Sequence, residues 1–233
     1  MGLLSFAERA PSELSGGQRQ RVALARSLVI EPTVLLMDEP LSALDANLRQ
    51  EMRMFLSEIQ REVGVTTVFV THDQEEALAM SDVIALMRDG AIEQMADPHT
   101  LHNRPKTAHV ASFVGAANLL PVKVLGVEGE AAHCELFGSK IDVAANGFGS
   151  SDAVQLCVHH HEAKLSSPGD GAFDATVKTS AFLGGQVVYE VALASGTTLS
   201  ITQTTGFSAP EFNRGDTVGV MLSSDCCLVA AGT

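Results

Sequence analysis

The chain contains no tryptophan and one tyrosine, and aromatic residues make up 5% of its 233 positions. Little is therefore available to build the stacking platforms on which single-stranded nucleic acid is held. Positive charge is scarce as well. Fifteen Lys and Arg stand against 28 Asp and Glu, for a formal net charge of -13. A nucleic-acid binder carries a basic face, and anionic lipid is met by clustered Lys and Arg. This balance argues against a nucleic-acid partner and gives no reason to expect binding to anionic lipid. No apolar run approaches the ~20 residues that span a bilayer, and no basic stretch leads into an apolar one at the N-terminus, as in a secretory signal. A soluble cytoplasmic chain is expected, with any membrane association coming through partner proteins. The four cysteines (134, 157, 226 and 227) form no C-x-x-C pair and read as free buried thiols. On a strand, Cys226 and Cys227 would face opposite sides, which disfavours shared metal ligation.

What is present falls into two habits. Up to about Gly115, helical and strand patterns alternate. Leu48, Met52, Phe55, Leu56, Ile59 and Val63 recur at helical spacing and predict a helix over 46–63. Val34–Met37 and Thr66–Val70 are short apolar runs of the kind that form buried parallel strands. A further helix is predicted over 74–80, with Asp73 and Glu76 at capping-box spacing. Arg88-Asp89-Gly90 between two apolar runs predicts a hairpin. Beyond Asn118, short β-rich runs follow one another, separated by Gly, Asn, Asp and Ser: 120–127, 133–137, 141–144, 153–158, 175–182, 187–193, 198–202 and 217–222. Evenly spaced short strands indicate a small all-β barrel or sandwich. The fold class is thus α/β over 1–115, followed by an all-β, OB-like domain over 116–233.

Candidate chemistry lies in the first half. In Leu14-Ser15-Gly16-Gly17-Gln18, Ser15 and Gln18 have the spacing of a helix-starting capping box. Two glycines let a ligand approach the backbone, and a helix N-terminus favours phosphate. Val34-Leu35-Leu36-Met37 leads into Asp38-Glu39-Pro40. An acid at the end of a strand can hold Mg2+, and a second acid beside it can polarise an attacking water. Leu41-Ser42-Ala43-Leu44-Asp45 follows, and Val68-Phe69-Val70-Thr71-His72-Asp73 places His72 at the end of another strand.

In this order and spacing, the segments from Pro11 to His72 closely resemble the ABC ATPase family. The resemblance implies roles residue by residue. Ser15, Gly16, Gly17 and Gln18 correspond to the signature loop, which meets the γ-phosphate of ATP held by a partner subunit. Asp38 would serve the Mg2+ site, Glu39 would be the general base, Ser42 to Asp45 the D-loop, and His72 the switch residue. The family also uses a phosphate loop, G-x-x-x-x-G-K-[ST], whose N–H groups and Lys hold the phosphates, and a glutamine-bearing loop between it and the signature. The sequence has no Gly-Lys pair and opens within the helical subdomain. A truncated chain that does not bind ATP normally by itself is therefore expected.

The second half resembles the TOBE domain of importer-type ABC ATPases. The likeness rests on Ser112-Phe113-Val114-Gly115-Ala116-Ala117-Asn118-Leu119-Leu120, on Phe182-Leu183-Gly184-Gly185 and on Arg214-Gly215-Asp216-Thr217-Val218. Val158-His159-His160-His161-Glu162 departs from the family's Arg-Pro-Glu. On a strand, His159 and His161 would share a face, a pair but not a tetrahedral metal set, and solvated strand-end histidines are expected. Together the two resemblances imply the ATP-hydrolysing, energy-coupling subunit of an importer, with ATP and Mg2+ as cofactors. It would work as a homodimer on transmembrane permease subunits at the cytoplasmic face of the membrane, fed by a substrate-binding protein. The opening segment of the β-domain resembles the polyamine, iron and phosphonate members more than the maltose type. The competing readings are a non-catalytic or regulatory fragment whose β-domain binds a small ligand or a protein, and a soluble DNA-repair ATPase, against which the β-domain and the acidic charge both count.

Overall fold

A computed structural model describes residues 2–206 and 211–231, which separate into two compact units, Met1–Asp82 and Val83–Thr233.

In the first unit, two short 3-10 turns lead into α1 (Gly16–Leu28), β1 (Val34–Asp38), α2 (Ala46–Val63), β2 (Thr66–Val70) and α3 (Gln74–Met80). The boundaries of α2 follow from its sequence. Asp45 caps the first turn by accepting from the Leu48 N–H at 3.0 Å. Gly64 closes the helix in the left-handed region at φ 66°, where a residue without a Cβ is unstrained. β1 and β2 pair in parallel, with Val34 opposite Thr66 and Asp38 opposite Val70. Leu35, Met37 and Phe69 pack from this pair onto a core of Leu24, Leu41, Leu44, Met52, Leu56 and Met80. The opposite face is not covered: Val34, Val68 and Val70 are exposed, and Leu36 is 73% accessible. The expectation of strands buried on both faces therefore fails for this unit. Its helices supply a layer on one face only, and β1 and β2 pair with no third strand among the described residues.

The second unit opens with β3 (Ile84–Arg88) and β4 (Ala91–Ala96). Asp89 and Gly90 lie at φ 51° and 79°, the positive pair that a tight antiparallel hairpin requires. α4 (Pro98–Asn103) and α5 (Ala108–Gly115) follow, capped by Asp97 and Thr107. The remaining strands are β5 (Ala117–Pro121), β6 (Lys123–Glu128), β7 (Ala131–Leu136), β8 (Ser139–Ala144), β9 (Val154–His159), β10 (Ala163–Ser166), β11 (Phe173–Phe182), β12 (Gln186–Ala192), β13 (Thr198–Thr204), β14 (Thr217–Leu222) and β15 (Cys227–Ala230). They make a six-stranded sheet ordered β5-β9-β15-β8-β7-β6 and a five-stranded sheet ordered β10-β14-β11-β12-β13. One core joins residues of both, including Leu136, Leu156, Val158, Val177, Val191, Ile201 and Val220. The Thr202 N–H donates to the His160 carbonyl at 2.8 Å, tying β13 to the turn after β9. The domain is sheet-rich and nearly closed, as the OB-like reading expected. The hairpin β3–β4 and helices α4 and α5 group with it in space, so this compact unit begins ahead of the change in sequence habit near Gly115.

Candidate functional site

Ser15 sits just ahead of α1 with its hydroxyl accepting from the Gln18 N–H at 3.3 Å, while the Gln18 side chain accepts from the Ser15 N–H at 2.9 Å. This is the reciprocal box that the spacing predicted. The N–H groups of Gly16 and Gly17 lie in the first turn and have no helical acceptor. The two glycines also do something that the sequence did not reveal. A Cβ on Gly16 would lie 3.3 Å from Leu44 Cδ2, and one on Gly17 would lie 3.0 Å from Leu48 Cδ1. Missing side chains here allow the start of α1 to pack closely against the Leu41–Leu48 segment. Gln20, one turn on, donates to the Pro40 carbonyl and fastens α1 to the loop after β1.

That loop carries the acids. Asp38 ends β1 and is exposed. Glu39 has φ 41°, a left-handed conformation in a residue other than glycine. It is held there because its N–H donates to the Val70 carbonyl at 2.9 Å and its own carbonyl accepts from the Ser42 hydroxyl at 3.0 Å. The parallel register that sets Asp38 opposite Val70 also brings the residues beyond the two strands together. Glu39 Oε1 lies 3.3 Å from His72 Nδ1, with the imidazole 72% accessible. A neutral imidazole can donate from Nδ1 to the carboxylate, and an imidazolium makes an ion pair.

The flanking network holds His72 from behind. Thr71 donates through its hydroxyl to Glu76 Oε2 at 2.7 Å and accepts from the Asp73 N–H at 3.0 Å. Asp73 caps α3 by accepting from the Glu75 and Glu76 N–H groups, and its other oxygen is 3.4 Å from Arg49 Nη1. The capping-box expectation at Asp73 is thus half met. The Glu76 side chain, 3% accessible, turns to Thr71 and not to the Asp73 N–H. Arg49 donates to the Leu44 carbonyl at 3.0 Å, so one guanidinium ties the 41–45 segment to the segment after β2. Ser42, Glu39 and His72 share a small cleft with Arg49 and Thr71. The Asp45 carboxylate is engaged as the α2 cap. Sequence reasoning missed Gln20, Arg49, Thr71 and Glu76. Only the Asp73–Glu76 spacing hinted at any of them.

In the second unit the histidine reading needs correction. His159 is 2% accessible, not a solvated strand end. Its Nδ1 lies 3.2 Å from the Gly115 carbonyl and its Nε2 lies 3.0 Å from the His102 carbonyl. Its ring stacks on His102, with centroids 4.2 Å apart. Burial is the leading cause that holds its pKa below the ordinary histidine value. His161 lies beyond the end of β9 and is exposed. Among the described residues no three His, Cys, Asp or Glu side chains are placed to hold a metal ion.

Residues 1–42 match the family model described as ABC transporter, and residues 151–229 match the one described as TOBE domain. The chain is 42% identical to the spermidine/putrescine import ATP-binding protein PotA of Rubrobacter xylanophilus, over 99% of this chain and 62% of that protein. It is 45% identical to the Fe(3+) ions import ATP-binding protein FbpC of Rhizobium etli, over 84% of this chain and 56% of that one. A PotA of Borreliella afzelii is 41% identical over 97% of this chain and 62% of its own length. The chain thus spans between 56% and 62% of the length of these relatives.

Proposed function

We propose, from the matches to the ABC transporter and TOBE domain models and the similarity to importer ATP-binding proteins, that the chain forms part of the ATP-hydrolysing, energy-coupling subunit of an importer. The observation that carries the reading is the 3.3 Å approach of Glu39 to His72 at the C-terminal ends of two parallel strands.

The residues present fit one side of a magnesium–nucleotide site. Asp38 and Glu39 offer hard oxygen donors to Mg2+, and the start of α1 offers N–H groups to phosphate. Bound Mg-ATP supplies the phosphoanhydride bond whose cleavage drives transport. Asp38 would hold the metal, and Glu39 would orient the attacking water and take its proton. His72 would fix the Glu39 carboxylate and read the γ-phosphate. Ser15, Gly16, Gly17 and Gln18 would meet the γ-phosphate of a nucleotide held by a second copy, and Ser42 to Asp45 would carry the state of one site to the other. The working form is a homodimer on permease subunits at the cytoplasmic face, served by a substrate-binding protein. The relatives' names point to a polyamine or ferric iron as the cargo.

The test is hydrolysis and uptake by the assembled transporter in proteoliposomes. Glu39→Gln is expected to lower hydrolysis by ~10²–10⁴-fold while nucleotide binding persists. Unchanged hydrolysis would remove Glu39 from the role of base. The 233-residue chain alone is expected to show no micromolar Mg-ATP binding by calorimetry, because it has no G-x-x-x-x-G-K-[ST] loop. The second reading, a regulatory fragment, takes the lead if the assembled complex binds no nucleotide.

A further inference from the structure

The four cysteines divide into two environments. Cys134 and Cys226 belong to the large core between the sheets. Cys157 and Cys227 lie on the other face of their sheet, in a cluster with Ala108 and Ala111 of α5 and with Val229, flanked by Ala117, Leu119 and Ala144. Cys157 on β9 and Cys227 on β15 are direct partners in an antiparallel pair. Residues directly opposite in such a pair have Cα atoms ~4.5 or ~5.5 Å apart, and both separations fall within the ~4.4–6.8 Å that a disulfide spans. The two thiols share one pocket with the methyl groups of Ala108 and Ala111 on α5, and the buried His159 ring borders it, its Nε2 3.9 Å from Cys157 Sγ.

We propose that Cys157 and Cys227 form a redox modification site, in which hydrogen peroxide converts the dithiol to a cross-strand disulfide joining β9 to β15. The chemistry closes on its own atoms. One thiol of the pair, as thiolate, displaces water from the protonated peroxide and becomes a sulfenic acid. The partner thiol attacks that sulfur, expels a second water and completes the S–S bond. Two thiols and one peroxide give one disulfide and two waters, and the two electrons pass from sulfur to the peroxide oxygens.

Burial sets the rate. The hydrogen bond to Cys227, and then burial, push the Cys157 thiol well above the ordinary thiol range. Both side chains are almost wholly inaccessible. β9 and β15 are interior strands of their sheet, so attack waits for local opening of the sheet under α5, and the pair oxidises slowly but with one connectivity. Vicinal Cys226 and Cys227 pack into different clusters on opposite faces of the sheet, so they are not competing partners in the folded state.

The experiment exposes the folded chain to excess hydrogen peroxide, unfolds it in alkylating reagent and maps the peptides by mass spectrometry without reduction. A parallel sample is oxidised in denaturant. The expected result is a linked peptide pair containing Cys157 and Cys227 as the single disulfide of the folded sample, with Cys134 and Cys226 alkylated and mixed pairings in the denatured one. Cys227→Ser, checked for native circular dichroism, should abolish the link and leave Cys157 to accumulate as sulfinic or sulfonic acid. Full alkylation of all four thiols in the folded sample would overturn the proposal. So would a folded-state link through Cys134 or Cys226. Because the wild-type map decides alone, a misfolded variant does not rescue it.

Discussion

Replacing Gly115 by Ala should open the junction between α5 and the barrel. A Cβ built on Gly115 lies 2.1 Å from His159 Cε1 and 2.2 Å from its Nδ1, closer than any non-bonded pair can come. The ring has nowhere to go. It is 2% accessible, lies against the Gly115 and His102 carbonyls and stacks on His102. Forcing a methyl into a packed site costs ~1–3 kcal/mol, and losing a hydrogen bond on the displaced imidazole adds ~0.5–1.5 kcal/mol. We expect about 3 kcal/mol in total, which at roughly 2–4 °C per kcal/mol for a unit of this size is a fall in Tm of about 6–12 °C. The assay can isolate the second unit. Tyr189 is the chain's one tyrosine and is buried in the barrel core, so in a protein without tryptophan its fluorescence reports that unit alone. The double variant Gly115→Ala with His159→Ala completes the cycle. With the ring removed the added methyl has room, so the pair should be at least ~1 kcal/mol less destabilising than the sum of the single variants. A Gly115→Ala protein that melts within a degree of wild type, or a strictly additive pair, would refute the steric argument.

Three further perturbations test other parts of the molecule. Met52→Ala empties a site that is 1% accessible in the first unit's core and should cost ~2–5 kcal/mol, read as a lower urea midpoint by far-UV circular dichroism. Asp45→Ala removes the α2 cap and should cost about 1 kcal/mol, whereas Asp45→Asn keeps an acceptor and should cost little; equal losses would show that charge and not capping matters there. His133 donates to or pairs with Asp142 at 2.7 Å, and that hydrogen bond is the leading cause that holds its pKa above the ordinary value. Because the folded pKa is raised, the stabilisation is fully present below the unfolded value of ~6.5 and is lost as pH rises through the folded one. NMR titration should show the shift shrink in Asp142→Asn, with Glu128, 3.9 Å away, still raising the pKa.

Local rules made much of this structure readable. α2 was legible because its apolar residues recur at helical spacing between Asp45 and Gly64, and the β3–β4 hairpin because Asp89-Gly90 satisfies a turn with two positive φ angles. The reading of 120–127 as one strand failed at Val122. The run is apolar throughout, but it belongs to two strands that pair with different neighbours, β9 and β7. β10 and β15, four residues each, were missed. Their strand state comes from partners distant in the chain. The same holds at the site. Ser15, Asp38, Glu39 and His72 stood out as chemistry at element ends, but the contacts of Gly16 and Gly17 with Leu44 and Leu48 are tertiary facts. His159 was misread because its burial depends on Gly115 and His102, 44 and 57 positions away. A run of polar letters carries no sign of that.

The backbone of Glu39 has a consequence for how this sequence can change. A left-handed φ outside glycine costs on the order of 1 kcal/mol, and a glycine at position 39 would remove that cost. A library sorted only for resistance to heat or protease would therefore drift toward Glu39→Gly and discard the carboxylate that faces His72. Stability and chemistry pull this position in opposite directions. Engineering that aims to harden the first unit should hold residue 39 fixed and seek its gains elsewhere, in the caps and in the apolar core beneath β1 and β2.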